Sequence, residues 1–338
     1  MQLLYKYNSL DLLKLLMAFL VIGIHIRAIY EVDFPQLLNY ILETAVPFFF
    51  VCSGFFIQNK IAKTKDSFYV LKYSCQRYIK LYILWHIVYF PIALKFLISN
   101  ERGFVGDLLY CLHTFLFVGE IIYSWPLWYL HALIVAIAFI YLLQKCRLSL
   151  VYIWIISIIM MLVGFAINYV TIYDFYPNST INEICHNMVN LLGTTDRNGP
   201  FRGFALVTTG MMIRKYHHLI KYEYSTGIIC IIISWLLYNN SLPLHLAFSG
   251  GGIFIIAASI HLRDNSLYSI IRNQSTLVYF IHMYIIVIIY KLFKYNIDCI
   301  TQVYVIWGVT SLVTWVVTYI LCLLSKYQHF FWIRRFIS

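Results

Sequence analysis

Residues 149–171 read SLVYIWIISIIMMLVGFAINYVT and contain no charged side chain. The hydrocarbon core of a bilayer is about 30 Å thick, so a helix of roughly 20 apolar residues, rising about 1.5 Å per residue, spans it. Runs of similar character recur along the chain. We predict ten membrane-spanning helices, centred on residues 10–30, 37–58, 81–98, 125–144, 149–171, 201–213, 225–239, 245–262, 275–293 and 303–325.

The composition of the whole chain agrees with this prediction. Of its 338 residues, 62% are hydrophobic and only 12% are charged, whereas about 25% of an ordinary soluble domain is charged. The mean hydropathy is +0.77. Such a chain has too little polar surface to face water on all sides, which excludes a soluble domain and a disordered chain. The sequence predicts an all-α polytopic membrane protein, a single membrane-embedded domain over residues 1–338 without a separate soluble domain.

The positions of Lys and Arg predict how the helices are oriented, because cytoplasmic segments of membrane proteins carry an excess of basic residues. With the N-terminus in the cytoplasm, the inner segments hold most of the 25 Lys and Arg residues. The largest group follows the second predicted span, at Lys60, Lys63, Lys65, Lys72, Arg77 and Lys80. We therefore predict a multi-pass protein of the cell inner (plasma) membrane with both termini cytoplasmic.

The charge and the cysteines exclude two kinds of site. A net charge of +11 is typical of nucleic-acid binders only when the basic residues cluster on a polar face, and here they lie between apolar runs. The eight cysteines form no C-x-x-C pair and no Cys/His metal spacing, so we predict no metal site. The expected partner is membrane lipid and not nucleic acid, and a homo-oligomer is left open.

Two outer segments differ from plain spans. Residues 104–124 are amphipathic and contain Asp107, His113 and Glu120, which predicts a segment that lies along the outer interface. Residues 171–200 form a long polar stretch, and a loop of that length in a compact protein is usually functional or disordered.

The first predicted span offers the ionisable side chains Asp11, Lys14 and His25, and Arg27 lies at its outer flank. Charged groups inside a membrane are costly and usually functional. Asp11 and Lys14 are three residues apart and can neutralise each other. Lys14 and His25 share one helix face, about three turns or roughly 16 Å apart. Two interpretations remain open: an interfacial ion pair with a hydrogen-bonded core histidine, or a polar stripe that lines a cavity.

Six segments, taken in order, resemble acyltransferase family 3 membrane proteins. In that family an Arg or Lys precedes a histidine by the spacing of Lys14 and His25, and a Pro, aromatic and Ser-Gly-Phe pattern follows. The similarity is greatest to stand-alone envelope O-acetyltransferases and to the membrane portion of vancomycin-resistance serine racemases. The matching segments are Asp11–His25, Val46–Phe56, Arg77–Lys80, Leu127–Leu133, Arg197–Gly199 and Ser275–His282.

The resemblance implies transfer of an acyl group, commonly acetyl from cytoplasmic acetyl-CoA, to a hydroxyl of an envelope or exported glycan. It implies that His25 is the catalytic base, acting directly or through an acyl-histidine, with Lys14 as a cavity cation fixed by Asp11. The donor would be held by Arg77, Lys80, Lys72, Ser53 and Gly54, and the acceptor by Glu43, Trp128, Arg197, Tyr279 and His282.

The sequence departs from the family at two of these positions. Lys80 replaces an Arg, which keeps the charge and loses the planar bidentate fork. Glu43 stands where many relatives have Arg. Both departures affect residues that would contact a substrate.

Other interpretations of the same residues stay open. The excess of cytoplasmic positive charge explains Arg77 and Lys80 without a donor, and Ser53-Gly54 or Tyr279-His282 would serve helix packing alone. A secondary transporter of serine or a glycan precursor is the main alternative function, and a membrane scaffold is the third. A transporter predicts broken helices in paired repeats, which the sequence does not display.

Overall fold

The computed structural model describes residues 7–98, 103–121, 123–174, 179–195, 197–293 and 300–337. Within these ranges every regular element is helical. The α-helices are α1 (Asn8–Ile29), α2 (Gln36–Glu43), α3 (Ala45–Thr64), α4 (Ser67–Ile98), α5 (Gly103–His113), α6 (Trp128–Lys145), α7 (Leu150–Tyr173), α8 (Thr180–Leu192), α9 (Phe204–Tyr216), α10 (Glu223–Asn239), α11 (His245–Ser259), α12 (Leu267–Phe293) and α13 (Ile300–Leu324).

Six helical segments in the described residues are long and apolar enough to cross a membrane: α1, the α2–α3 segment, α6, α7, α12 and α13. They support a helical membrane protein, but the predicted ten spans are not confirmed. Four predicted spans are not among the six: 81–98 falls within α4, and the other three fall on α9, α10 and α11, which have 13, 17 and 15 residues. These last helices are shorter than the roughly 20 residues that cross the core. The location of the termini stays a prediction.

The second predicted span, 37–58, is divided into α2 and α3 at Thr44. Pro47 lies one turn further on and cannot donate the backbone hydrogen bond that a continuous helix would need there, and its ring crowds the carbonyl of Glu43. The break therefore lies well N-terminal to Ser53-Gly54, which is inside α3.

The two outer segments are more regular than the sequence suggests. The stretch 171–200 contains α8, whose N-cap Ser179 accepts a hydrogen bond from the backbone N–H of Asn182 at 3.2 Å. Residues 103–118 form α5 and a π-helix, Thr114–Val118. This segment is not among the six membrane-spanning candidates, and its predicted place at the outer interface stays a prediction.

The helix α1 lies in the middle of the bundle and packs against α12, α13, α3 and α11. Its residues Leu10, Ala18, Ile22 and Ile26 are completely buried. This position sets the ionisable side chains Asp11, Lys14 and His25 of α1 against neighbouring helices. The central position of α1 brings those groups into one site.

The helices α3 and α9 cross in close contact through two glycines. A Cβ added to Gly54 would lie 1.9 Å from the carbonyl oxygen of Val207, and one added to Gly210 would lie 2.1 Å from that of Val51. Close backbone approach through small residues is a common way for membrane helices to pack. Gly54 therefore packs helices, as one of the open interpretations holds, and it does not line the cavity described below.

We expect Gly54→Ala to lower the melting temperature of the purified protein in detergent by several degrees. Overpacking a tight contact costs about 1–3 kcal/mol, and here the added atom meets a backbone carbonyl. The matched control is Gly308→Ala in α13, where an added Cβ meets nothing within 4 Å. Equal melting temperatures for the two variants would contradict this account of the crossing.

Candidate active site

A cavity of about 610 Å³ lies between α1, α3, α4 and α12. Lys60 and Lys63, which belong to the segment predicted to be cytoplasmic, are exposed at its edge. The cavity therefore belongs to the face predicted to be cytoplasmic. Its charged and hydroxyl-bearing lining residues include Asp11, Lys14, Ser53, Lys60, Lys63, Ser74, Arg77, Tyr129, Arg272 and Tyr279.

The charge of the cavity is strongly positive. Asp11 is the only acidic side chain among the lining residues that the structure describes, and it is only 4% exposed. Its carboxylate accepts hydrogen bonds from Arg272, with Nε 3.0 Å from both oxygens and Nη2 2.5 Å from Oδ2. The predicted pairing of Asp11 with Lys14 is therefore wrong, because the Arg272 guanidinium satisfies both carboxylate oxygens.

Four cations in the cavity have no carboxylate partner in the described part of the chain: Lys14, Lys60, Lys63 and Arg77. The ammonium group of Lys14 lies 4.6 Å from the centre of the Phe56 ring, a cation–π contact. Since no carboxylate among the described side chains neutralises these four groups, the cavity is suited to a ligand that carries several negative charges.

The structure separates the predicted donor residues. Arg77 and Ser53 line the cavity, whereas Lys72 and Lys80 are exposed and do not. The α4 positions that reach the cavity follow helical spacing, so Lys72 and Lys80 fall beside that stripe. Sequence reasoning missed Arg272 as a cavity residue, although it lies near the cytoplasmic start of the ninth predicted span. The lining residues of α4 are Ser74, Arg77, Tyr78 and Leu81.

Three aromatic rings, Phe49, Tyr129 and Tyr279, lie together at the cavity wall, and we refer to them as the aromatic layer. The centre of the Tyr279 ring is 5.4 Å from those of Phe49 and Tyr129. The Tyr129 hydroxyl donates to the carbonyl of Phe49 at 3.2 Å and lies 2.9 Å from the Ser53 hydroxyl. The Tyr279 hydroxyl donates to the carbonyl of Pro126 at 3.4 Å. These bonds hold the rings in place.

Beyond Tyr279 lie His282 and His25, which we call the histidine pair. Their ring centres are 5.1 Å apart and the ring planes are 26° from parallel. The ring centres of Tyr279 and His282 are 6.2 Å apart. His282 is completely buried, whereas His25 is partly exposed but does not line the cavity. The order from the cavity is thus the aromatic layer, His282 and then His25.

The surroundings of His25 include some of the predicted acceptor residues but not all. The ring centre of Trp125 lies 5.6 Å from that of His25. The predicted acceptor residue Trp128 instead packs against Phe50, with ring centres 5.8 Å apart. Arg197 is exposed, and its charge acts on both His25 and Glu120. The predicted residues His282, Tyr279 and Arg197 therefore come together with His25, and Trp128 does not.

Glu43 lies apart from this group, at the end of α2. Its charge acts on Tyr238, together with those of Arg27 and Asp33. Arg27 donates to Asn39 at 2.7 Å, and Asn39 donates to Asp33 at 3.1 Å. These side chains form a separate polar cluster around the α1–α2 connection. In the part of the chain that the structure describes, no group of three or more His, Cys, Asp or Glu residues could hold a metal ion.

Glu120 gives the stability of this region a pH dependence. Burial raises its pKa to about 7, and the charge of Arg197 opposes the shift. The folded protein therefore keeps this proton at pH values where the unfolded chain has lost it, so the carboxyl group costs stability as the pH rises towards 7 and beyond. We expect Glu120→Gln to raise the melting temperature relative to wild type at pH 8 and to leave it unchanged at pH 4. A difference that does not depend on pH would contradict this assignment.

Comparison with known proteins identifies the family. Neither curated proteins nor solved structures include a match to the chain. The model of one protein family, described as an acyltransferase domain, matches residues 7–326. The match takes in the cavity cations, the aromatic layer and the histidine pair, and it extends over nearly the whole sequence. The chain therefore belongs to acyltransferase family 3.

Proposed function

We propose that the protein is an O-acetyltransferase that moves an acetyl group from cytoplasmic acetyl-CoA to a hydroxyl of an envelope or exported glycan. One observation carries the proposal: a cavity with four cations that have no carboxylate partner among the described residues ends at the aromatic layer, and the histidine pair lies behind that layer. A phosphate-bearing thioester donor needs the cationic cavity, and activation of the acceptor hydroxyl needs the histidine pair.

The cavity suits the donor in charge and size. The nucleotide end of acetyl-CoA carries several negative charges, and Arg77 offers a planar fork that matches phosphate geometry. Ligand sites commonly enclose about 300–1,000 Å³, and the cavity has about 610 Å³. Lys14 and His25 are about three turns apart on α1. A pantetheine arm that extends past Lys14 would carry its thioester towards the histidine pair.

His25 suits the acceptor end of the reaction. Its imidazole is partly exposed, so an outer hydroxyl can approach it, and histidine is the most frequent general base in enzymes. The hydroxyl oxygen forms a bond to the thioester carbonyl carbon, the hydroxyl proton goes to His25, and the carbon–sulfur bond breaks. In the alternative route, His25 attacks the thioester first and the hydroxyl then takes the acetyl group from the ring.

The proposal requires the cavity to face the cytoplasm. Cys146 is exposed and lies between Lys145 and Arg147, in a connection that the orientation places on the same side as the cavity. We expect a membrane-impermeant thiol reagent to label Cys146 only in inside-out vesicles. A cysteine substituted for Ser179, in the outer stretch, should be labelled only in right-side-out vesicles. The opposite pattern would place the donor site outside the cell.

Thioester turnover tests the function itself. Purified protein in lipid nanodiscs, given acetyl-CoA and an envelope glycan, should release free thiol and acetylate the glycan. Release of thiol only in the presence of glycan supports the transferase. Accumulation of serine or a glycan precursor in sealed proteoliposomes, without thiol release, would support the transporter and overturn the proposal.

A further inference from the structure

The two rings of the histidine pair differ in how their protons are held. His282 Nδ1 lies 3.0 Å from the carbonyl oxygen of Val278. A carbonyl can only accept, so Nδ1 carries the hydrogen and Nε2 carries the lone pair. His282 Nε2 is buried and has no hydrogen-bond partner in the described part of the chain. His25 makes no hydrogen bond within the same ranges, so its tautomer is free to change.

A buried acceptor without a donor is costly, about 1–3 kcal/mol, and native proteins rarely keep one without a reason. The lone pair of His282 Nε2 is available for a proton that arrives from a neighbouring group. His25 stacks on the face of the His282 ring, with ring centres 5.1 Å apart. Tyr279 of the cavity wall also contacts His282, with ring centres 6.2 Å apart. His282 is therefore the imidazole on the donor side of the pair.

We propose that His282 carries the acceptor's proton from His25 to the leaving sulfur of the donor. This inference rests on the proposed function. His25 takes the hydroxyl proton as the oxygen–carbon bond forms. The Nε2 lone pair lies in the plane of the His282 ring, and no hydrogen bond joins the two stacked rings in the described residues, so the proton reaches Nε2 after the His25 ring rotates towards that plane. His282 then releases the proton to the sulfur as the carbon–sulfur bond breaks. The products are the acetyl ester and the free thiol, and both rings end neutral, as they began.

Two acyl donors distinguish this role from a packing role: acetyl-CoA and its analogue with oxygen in place of the thioester sulfur. A thiol with a pKa of about 8.5 leaves readily as a thiolate, whereas an alkoxide needs a proton in order to leave. We expect His282→Gln to lower kcat about 10²–10⁴-fold with the oxygen ester and about tenfold or less with the thioester. His25→Gln should lower both by the same factor, because His25 acts on the acceptor hydroxyl.

The chain offers a matched control in His86. Its Nδ1 also bonds to the carbonyl four residues earlier, that of Tyr82, at 2.9 Å. Its Nε2 is likewise buried without a partner in the described residues, but its ring contacts neither member of the histidine pair. His86→Gln should leave the ratio of the two kcat values unchanged. His282→Asn is the second variant if His282→Gln does not elute as a single species.

Equal losses with both donors, or no loss with either, in a folded His282 variant would overturn the role of His282. So would a wild-type enzyme that uses the thioester and never the oxygen ester. A wild-type protein that acetylates no glycan from the thioester overturns the proposed function instead, and the two failures are therefore distinguishable.

Discussion

Replacing His25 with glutamine is expected to lower kcat for acetyl transfer at least about a hundredfold, because general base catalysis typically contributes about 10²–10⁴-fold. Glutamine keeps a hydrogen-bonding group and much of the volume, but it cannot take a proton. The loss should lie in kcat and not in the KM for the donor, since the cavity that would bind the donor does not include His25. The measurement is initial-rate kinetics with varied acetyl-CoA at saturating glycan.

Donor binding to the same variant provides the control for this result. His25→Gln should bind coenzyme A as wild type does, measured by calorimetry in detergent, which separates lost chemistry from lost folding. Near-normal turnover by a folded His25→Gln protein would make His25 a packing residue. In that case the stacking of His25 on His282 would serve only the contact between α1 and α12.

Replacing Arg77 with alanine is expected to raise the KM for acetyl-CoA about 10- to 100-fold and to leave kcat nearly unchanged. A charge-assisted hydrogen bond contributes about 1.5–3 kcal/mol, and each 1.4 kcal/mol is a factor of ten in affinity. Arg77 lines the cavity and has no carboxylate partner in the described residues. Its removal should therefore weaken donor binding without breaking an ion pair among the described side chains.

Lys80→Ala is the matched comparison for Arg77→Ala, because the sequence predicts that both residues hold the donor, whereas only Arg77 lines the cavity. Lys80 lies one turn away on the same helix, is exposed and does not line the cavity. We expect its removal to change the KM by less than about twofold, as for most solvent-exposed charges. Equal effects of the two substitutions would favour the sequence-based pairing of Arg77 with Lys80, or a general effect of positive charge, over a donor site in this cavity.

The sequence predicts the class of fold well because apolar runs and their length depend on local composition alone. Four of the ten predicted spans stay unconfirmed, and three of these fall on α9, α10 and α11, which are apolar but short. Whether a short apolar helix crosses a bilayer depends on its neighbours. The close crossing of α3 and α9 through Gly54 and Gly210 is one such tertiary contact, and its partners are far apart in the sequence.

The candidate site could be predicted only in part for the same reason. The spacing along α1 predicts which of Asp11, Lys14 and His25 share a helix face. It cannot identify partners on other helices, because it compares only residues of the same helix. The true partner of Asp11 is Arg272, 261 residues later. The partner of His25 likewise comes from α12, and no local pattern identifies it. The family resemblance names His282 as an acceptor contact, and the structure places its ring in contact with both Tyr279 of the cavity wall and His25.

The aromatic layer also bears on the electrical insulation of the membrane. Moving one charge across a membrane yields about 2.3 kcal/mol per 100 mV, so any continuous file of water through the protein would let protons run down that gradient. Water can reach the cavity from one face, and His25 keeps part of its surface exposed outside the cavity. The contacting rings of Phe49, Tyr129 and Tyr279 lie between the two. Their packing therefore stands where a continuous water path would otherwise let protons cross the membrane.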